Sequence, residues 1–274
     1  MIDQKYAGVT MNYKTIEFEV SEHGVARLTL NRPQVKNAMN GEMYDEARAV
    51  VAAVDADPAI RVLVLGGAGD AFCSGGDFQY QQSQRGRKHA DRIAEASKLA
   101  LWLRELDTLS KPVVGRINGP AYGGGVGLVS VCDVAVCATD VKFCLSEVGL
   151  GLLPSMISPY VVRKIGISNA RAVFLNAVPF TAEEARSMRL VHEVVPRGEL
   201  DTATARQVAR FLRCAPSAIA ATKRLVDYVD RHGYEENFHY TVDRVAEMWS
   251  SDDAEEGIRS FLEKRKPAWF VAQE

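Results

Sequence analysis

Two glycine-rich segments and one isolated glutamate are the parts of this 274-residue sequence best suited to act on a ligand. Ala71-Phe72-Cys73-Ser74-Gly75-Gly76-Asp77 and Asn118-Gly119-Pro120-Ala121-Tyr122-Gly123-Gly124-Gly125 each follow a strand-like run. Glycine removes the side chain that keeps a ligand away from backbone N–H groups. In the second segment the glycines also open a helix, where unpaired donors and the positive end of the dipole converge. Such a place stabilises an oxyanion, although each segment alone also fits a tight turn between strand and helix. Glu147 stands in Phe143-Cys144-Leu145-Ser146-Glu147-Val148-Gly149-Leu150-Gly151-Leu152-Leu153-Pro154, an otherwise apolar stretch. A carboxylate held there loses solvation, its pKa rises towards neutrality, and it can exchange protons with carbon. An exposed or ion-paired loop carboxylate is the alternative.

Other chemistries lack their signatures. Neither glycine segment has the GxxxxGK[ST] pattern of a phosphate loop or the GxGxxG spacing of a dinucleotide site. No GxSxG occurs, Ser74 has no activating histidine nearby, and His23 and His192 sit near turns as exposed polar side chains do. The five cysteines form an odd set without a CxxC pair, and all but Cys73 read as core thiols, so neither a disulfide framework nor a metal site is expected. Lys and Arg (33) nearly balance Asp and Glu (35), which leaves no basic field for nucleic acid or an anionic membrane. No run reaches the roughly 20 apolar residues of a membrane span, and the segment from Met1 to Tyr13 lacks a signal-peptide layout. A cytoplasmic protein that binds neither nucleic acid nor membrane is expected.

The elements that must position these residues read as an α/β protein. Residues 16–20 and 25–30 alternate apolar and polar side chains around a turn at Glu22-His23-Gly24, which predicts a hairpin. Residues 40–54 carry Met43, Ala47, Val50, Val51 and Val54 at helical spacing and stop before Pro58. Strands at 62–65, 113–117 and 134–136 then alternate with helices at 90–109 and through Leu128 and Val131. From Ser168 onward strands nearly vanish, and helices are expected at 169–176, 181–188, 200–213, 217–232, 234–250 and 253–266, the last ended by Pro267.

The chain resembles the enoyl-CoA hydratase/isomerase (crotonase) family over nearly its whole length. The resemblance rests on motifs in family order: Asn31-Arg32-Pro33 with Asn37-Ala38-Met39, the two glycine segments with Cys132-Asp133, Glu147 to Pro154, Ala182 to Val191, and Phe261 to Pro267. It implies a spiral of repeated ββα units over residues 1–200, with the acyl-CoA site, and a helical C-terminal region over 201–274 that assembles a homotrimer or a dimer of trimers. It implies that the N–H groups of Gly76 and Gly124 grip a thioester oxygen. It also implies that Lys36, Ala38, Ser74, Gly75, Asp77, Phe78, Tyr122, Gly123 and Pro154 line the path of the acyl-CoA. Phe261 and Lys266 would reach the coenzyme A of a neighbouring subunit. Coenzyme A is then part of the substrate, and no separate cofactor or metal is implied.

One departure bears on the reaction. Family hydratases carry two glutamates; the second matches Glu147, and the first falls on Gly127. The segment from Phe143 to Val162 is most similar to bacterial hydratases of branched substrates, the methylglutaconyl-CoA and carboxygeranoyl-CoA types, which tolerate glycine there. The resemblance thus implies hydration of a branched 2-enoyl-CoA to a 3-hydroxyacyl-CoA, with Glu147 placing the water and delivering the Cα proton. Arg85, Arg87, Lys88 and Arg92 fall in the segment that would flank the acyl pocket. A double-bond isomerase, a polyketide-type acyl-thioester dehydratase or decarboxylase, and a non-catalytic acyl-CoA or RNA-binding relative are the alternatives on the same fold.

Overall fold

A computed structural model describes residues 13–271 of the chain. The N-terminal segment whose lack of a signal-peptide layout supported a cytoplasmic expectation lies outside the described residues, apart from Tyr13. The predicted hairpin forms from β1 (Ile16–Val20) and β2 (Val25–Leu30), antiparallel, with Ile16 opposite Leu30 and Val20 opposite Ala26. Four parallel strands follow in one six-stranded sheet of order β1-β2-β3-β4-β6-β9: β3 (Val62–Gly67), β4 (Val113–Ile117), β6 (Val134–Ala138) and β9 (Glu193–Val195). β3 is buried at every position, which explains why its sequence is a continuous apolar run rather than an alternating one.

Helices complete the layers. α1 (Gly41–Ala56) starts where the Asn40 side chain accepts from the Met43 N–H, and it buries the apolar face read from the sequence. α2 (Phe78–Gln84) and α3 (His89–Asp107) come between β3 and β4, and α1 packs along α3. A small second sheet joins β5 (Ala121–Tyr122), β7 (Lys142–Cys144) and β8 (Phe180–Thr181), with α4 (Gly124–Ser130) rising directly from β5. After α5 (Ser158–Phe174) and α6 (Ala182–Ser187), α7 (Leu200–Leu212) lays Val208 and Leu212 on Val25, Val62, Val64 and Val114 of the main sheet. The last helices are α8 (Pro216–Arg231), α9 (Tyr234–Trp249) and α10 (Asp252–Leu262). No helix among the described residues is long and apolar enough to cross a membrane.

Several details differ from the sequence reading, which also has no counterpart for α2, β5, β7 and β8. α5 begins at Ser158, well before residue 169, with a break at Gly166 (φ 76°). α10 ends at Leu262 rather than at Pro267, because the chain turns into the left-handed region at Lys264. β9 escaped notice because three residues carry no periodicity. Cys73 is buried and Cys214 exposed, the reverse of the expectation for these two: Cys73 lies under the glycine helix, whereas Cys214 follows the end of α7 at the surface.

Two buried asparagines hold the loop between β3 and the first glycine segment. Asn37, fully buried, donates from Nδ2 to the carbonyls of Ala68 and Ala71 (both 2.9 Å) and accepts from the Arg32 N–H at 2.9 Å. Asn118 accepts from the Gly67 N–H at 3.1 Å and donates to the Gly69 carbonyl at 3.1 Å. Asn37 also occupies the left-handed region (φ 56°), which asparagine tolerates better than most residues. Asn37→Ala strands those carbonyls and adds backbone strain, so urea unfolding is expected to show a loss of roughly 2–4 kcal/mol. An unchanged midpoint would show that the loop does not depend on this amide.

Candidate active site

The first glycine segment is laced to its neighbours on both sides. On one side the Met39 N–H donates to the Gly75 carbonyl and the Asp77 N–H to the Met39 carbonyl, both at 2.8 Å. On the other, the Tyr122 N–H donates to the Cys73 carbonyl at 2.9 Å. Gly75 has φ 94°, and a Cβ there would stand 2.9 Å from the Tyr122 carbonyl oxygen and 3.7 Å from the Gly124 nitrogen. Only glycine allows the two segments to come this close. The N–H groups of Gly76 and Gly124 donate to no protein acceptor among the described residues, and both glycines line one cavity of about 400 Å³. Two free backbone donors at the mouth of a helix are what the oxyanion reading requires.

Glu147 lines the same cavity. It opens a short 3-10 turn after β7, and the Gly123 N–H donates to the Cys144 carbonyl at 2.8 Å, so the strand that delivers Glu147 is tied to the start of the glycine helix. The Oε1 atom lies 2.9 Å from where a Gly123 side chain would begin. Oε2 is buried without a hydrogen-bond partner among the described residues. Burial raises the carboxyl pKa above its ordinary value, offset in part by the residue's own backbone N–H. Leu152, Pro154, Met156 and Ile157 supply the apolar surroundings.

Gly127 is not part of the site. It is buried in α4, and a Cβ there would overlap Ile157 Cγ2, stand 2.9 Å from Ile157 Cβ and 3.6 Å from Leu103 Cδ2. The space that a first glutamate would need is filled by hydrocarbon. Gly127, the position on which the first family glutamate falls, thus holds no carboxylate and serves packing.

Ser74, Gly75, Phe78, Gly123 and Pro154 line the cavity. Lys36, Ala38, Asp77 and Tyr122 do not. The Lys36 carbonyl accepts from the Ser74 N–H, and the Ala38 carbonyl accepts from Arg32. Asp77 caps α2 through the N–H groups of Gln79 and Tyr80 and pairs with Arg32 at 2.9 Å. Tyr122 contributes its carbonyl to the contact with Gly75. Phe261 is exposed, and Lys266 lies 4.7 Å over the Phe270 ring; neither lines this cavity. Of the four basic residues, only Arg92 reaches the cavity wall. His192 accepts from the Ala135 N–H at 3.0 Å, away from the cavity. Tyr44, Tyr80, Gln84, Glu95 and Leu99 line it unannounced. Asp77 ahead of a polar run was a legible helix start for α2, whereas helical spacing shows which face is buried and not which cavity it meets.

Gly127→Glu is expected to destabilise the chain by roughly 3–5 kcal/mol, and removing the obstruction in G127E/I157G should recover much of the loss. Thermal unfolding decides the matter; a G127E melting point equal to the parent's would mean that the interior has room for a carboxylate.

The chain matches the family model described as enoyl-CoA hydratase/isomerase over residues 20–271. It is 31% identical over 265 residues to the crotonyl-CoA hydratase of Syntrophomonas wolfei, covering 96% of this chain and 100% of that one. It is 28% identical to the peroxisomal Delta(3,5)-Delta(2,4)-dienoyl-CoA isomerase of Arabidopsis thaliana, covering 93% and 97%. Among solved structures, Pseudomonas aeruginosa AtuE superposes with a TM-score of 0.91 at 37% identity, covering 94% of this chain and 100% of that one. With the spiral fold, the paired glycine donors and these likenesses together, the chain belongs to the enoyl-CoA hydratase/isomerase family.

Proposed function

We propose that the protein hydrates a branched 2-enoyl-CoA to the 3-hydroxyacyl-CoA. The observation that carries this reading is the meeting of two unpaired N–H donors, Gly76 and Gly124, with one partnerless carboxylate oxygen, Glu147 Oε2, in a single cavity. The thioester oxygen sits between the donors. Water gives a proton to Glu147 as its oxygen bonds to Cβ, and the π electrons move to the thioester oxygen as an enolate. Glu147 then returns the proton to Cα and the carbonyl re-forms, so one carboxylate closes the cycle. Each donor aimed at the enolate oxygen contributes on the order of 3–4 kcal/mol by comparison with other oxyanion holes. Nothing in this sequence of steps calls for a cofactor or metal beyond the coenzyme A that the substrate brings.

A second reading has its own observation. The hydrocarbon at Gly127 leaves no second carboxylate to hold water, and one base above an enolate also moves a proton from one carbon to another, which is double-bond isomerisation. The relative named as a dienoyl-CoA isomerase is consistent with that. A purely binding role, for acyl-CoA or RNA, leaves a buried and unpaired Glu147 without a purpose, and polyketide-type chemistry has no separate support. The exposed Val226, Phe238, Val242, Trp249 and Phe261 on α8, α9 and α10 supply an apolar surface for the trimer that the family implies, an assembly in which Phe261 and Lys266 would face a neighbour's coenzyme A.

Loss of the enoyl-thioester absorbance is expected with 3-methylglutaconyl-CoA, and its absence with both that substrate and crotonyl-CoA rules out hydration. Turnover of a 3-enoyl-CoA alone selects the isomerase. In Glu147→Gln, kcat should fall on the order of 10²- to 10⁴-fold. Because the deprotonated carboxylate is the active form and burial raises its pKa, kcat/KM should climb with pH through a midpoint above the ordinary glutamate value of 4.5. A midpoint at or below that value contradicts a desolvated base.

A further inference from the structure

The cavity contains a hydrogen-bond donor that neither hydration nor isomerisation uses. Tyr44, on α1, is 6% exposed, lines the cavity, and its hydroxyl bonds to nothing among the described residues. Its ring meets Tyr80 edge-on at 6.4 Å and Trp102 at 6.3 Å, so packing fixes where the hydroxyl points. Buried polar groups are almost always paired with protein, water or ligand. Burial, together with Cys73, Glu95 and Asp77 nearby, raises the phenol pKa, so the group stays a neutral donor.

α3 places this donor relative to the thioester. Leu99 Cδ2 lies 3.8 Å from where a Gly124 side chain would begin, so Leu99 marks the oxyanion end. Ala96, Glu95 and Arg92 line the same cavity at three, four and seven residues back along the helix, which at 1.5 Å per residue is about 5, 6 and 10 Å along its axis. Tyr80 donates to Glu95, and Glu95 is held by Lys98 (3.3 Å) and Arg87 (3.6 Å). Tyr44 meets Tyr80 on one side and Trp102 on the other, so it stands against the Glu95–Leu99 stretch of α3, beside the oxyanion end of the cavity where the acyl group would lie. Arg92, a further turn out, pairs with no carboxylate among the described residues. Two free donors along one acyl path select a chain that carries an acceptor.

We infer that Tyr44 is a specificity residue that donates its phenolic hydrogen to an oxygen on the acyl group, so that the preferred substrate is an oxygenated acyl thioester rather than a plain hydrocarbon one. The inference rests on the acyl-CoA reading above. A hydrocarbon chain strips water from the Tyr44 hydroxyl and returns no acceptor, which weakens binding on the order of tenfold to a hundredfold.

Calorimetric binding of saturated thioesters tests this without depending on turnover. The full-length protein should bind 5-oxohexanoyl-CoA or adipoyl-CoA at least tenfold more tightly than hexanoyl-CoA, and Tyr44→Phe should abolish most of that preference while the folded state, followed by circular dichroism, is retained. A larger gain for adipoyl-CoA that disappears in Arg92→Met identifies the oxygen as a carboxylate, and equal gains identify a neutral carbonyl. Equal affinity for all three thioesters, or a preference that survives in Y44F, overturns the assignment. A parent that binds with the expected preference yet neither hydrates nor isomerises any enoyl-CoA refutes the proposed function and leaves the role of Tyr44 standing.

Discussion

The contact between Gly75 and the Tyr122 carbonyl is the constraint on which the site depends. Two loops from different strand–helix units have to approach until their backbones nearly touch, with one N–H of each left unpaired. Elsewhere in a folded protein, backbone donors near the interior find partners. Here the parallel strands β3 and β4 bring the loops together, the amides of Asn37 and Asn118 hold one of them, and the short β5–β7 pairing anchors the other. The sheet therefore acts as a frame for two orphaned N–H groups, and the cost of leaving them unmet is recovered only when an oxygen arrives.

Glu147 faces that frame as a buried carboxylate. Among the described residues it pairs with no cation and shares a proton with no second acid, so burial raises its affinity for a proton and only its own backbone N–H opposes that. Ile157 and Leu103, where a partner acid would stand, keep that setting simple. A paired acid would tune the proton through electrostatic coupling, whereas a lone one is tuned by how much water the apolar wall admits.

Much of this was legible in the sequence, and the limits have physical causes. The hairpin, the α1 face and the buried strands follow from periodicities that depend only on local geometry. Gly76, Gly124 and Glu147 stood out as glycine clusters and as an acid in an apolar run, and the structure brings all three to one cavity. Asp77 was expected on the ligand path because a carboxylate beside a glycine segment looks the same whether it faces a ligand or, as its side chain does here, caps α2 and pairs with Arg32. Tyr44 was hidden because it stands among the apolar residues of an amphipathic helix, and only the packing of α1 on α3 shows that its hydroxyl has no partner among the described residues. Gly127 showed that a carboxylate was missing, but not that Ile157, thirty residues later, had taken its place.

The position of β9 has a consequence for how the chain is made. The cavity-lining residues named here all lie at or before Ile157, but the main sheet gains its last strand only when Glu193–Val195 adds to the free side of β6, leaving the three-residue β9 as its short edge. At a synthesis rate of roughly 5–20 residues per second, those 38 further residues take about two to eight seconds to emerge. Through that interval β6, rather than the short β9, is the free edge of the parallel sheet, and a longer open edge pairs more readily with other chains. Synthesis therefore passes through a window in which association between neighbouring nascent chains competes with the addition of β9.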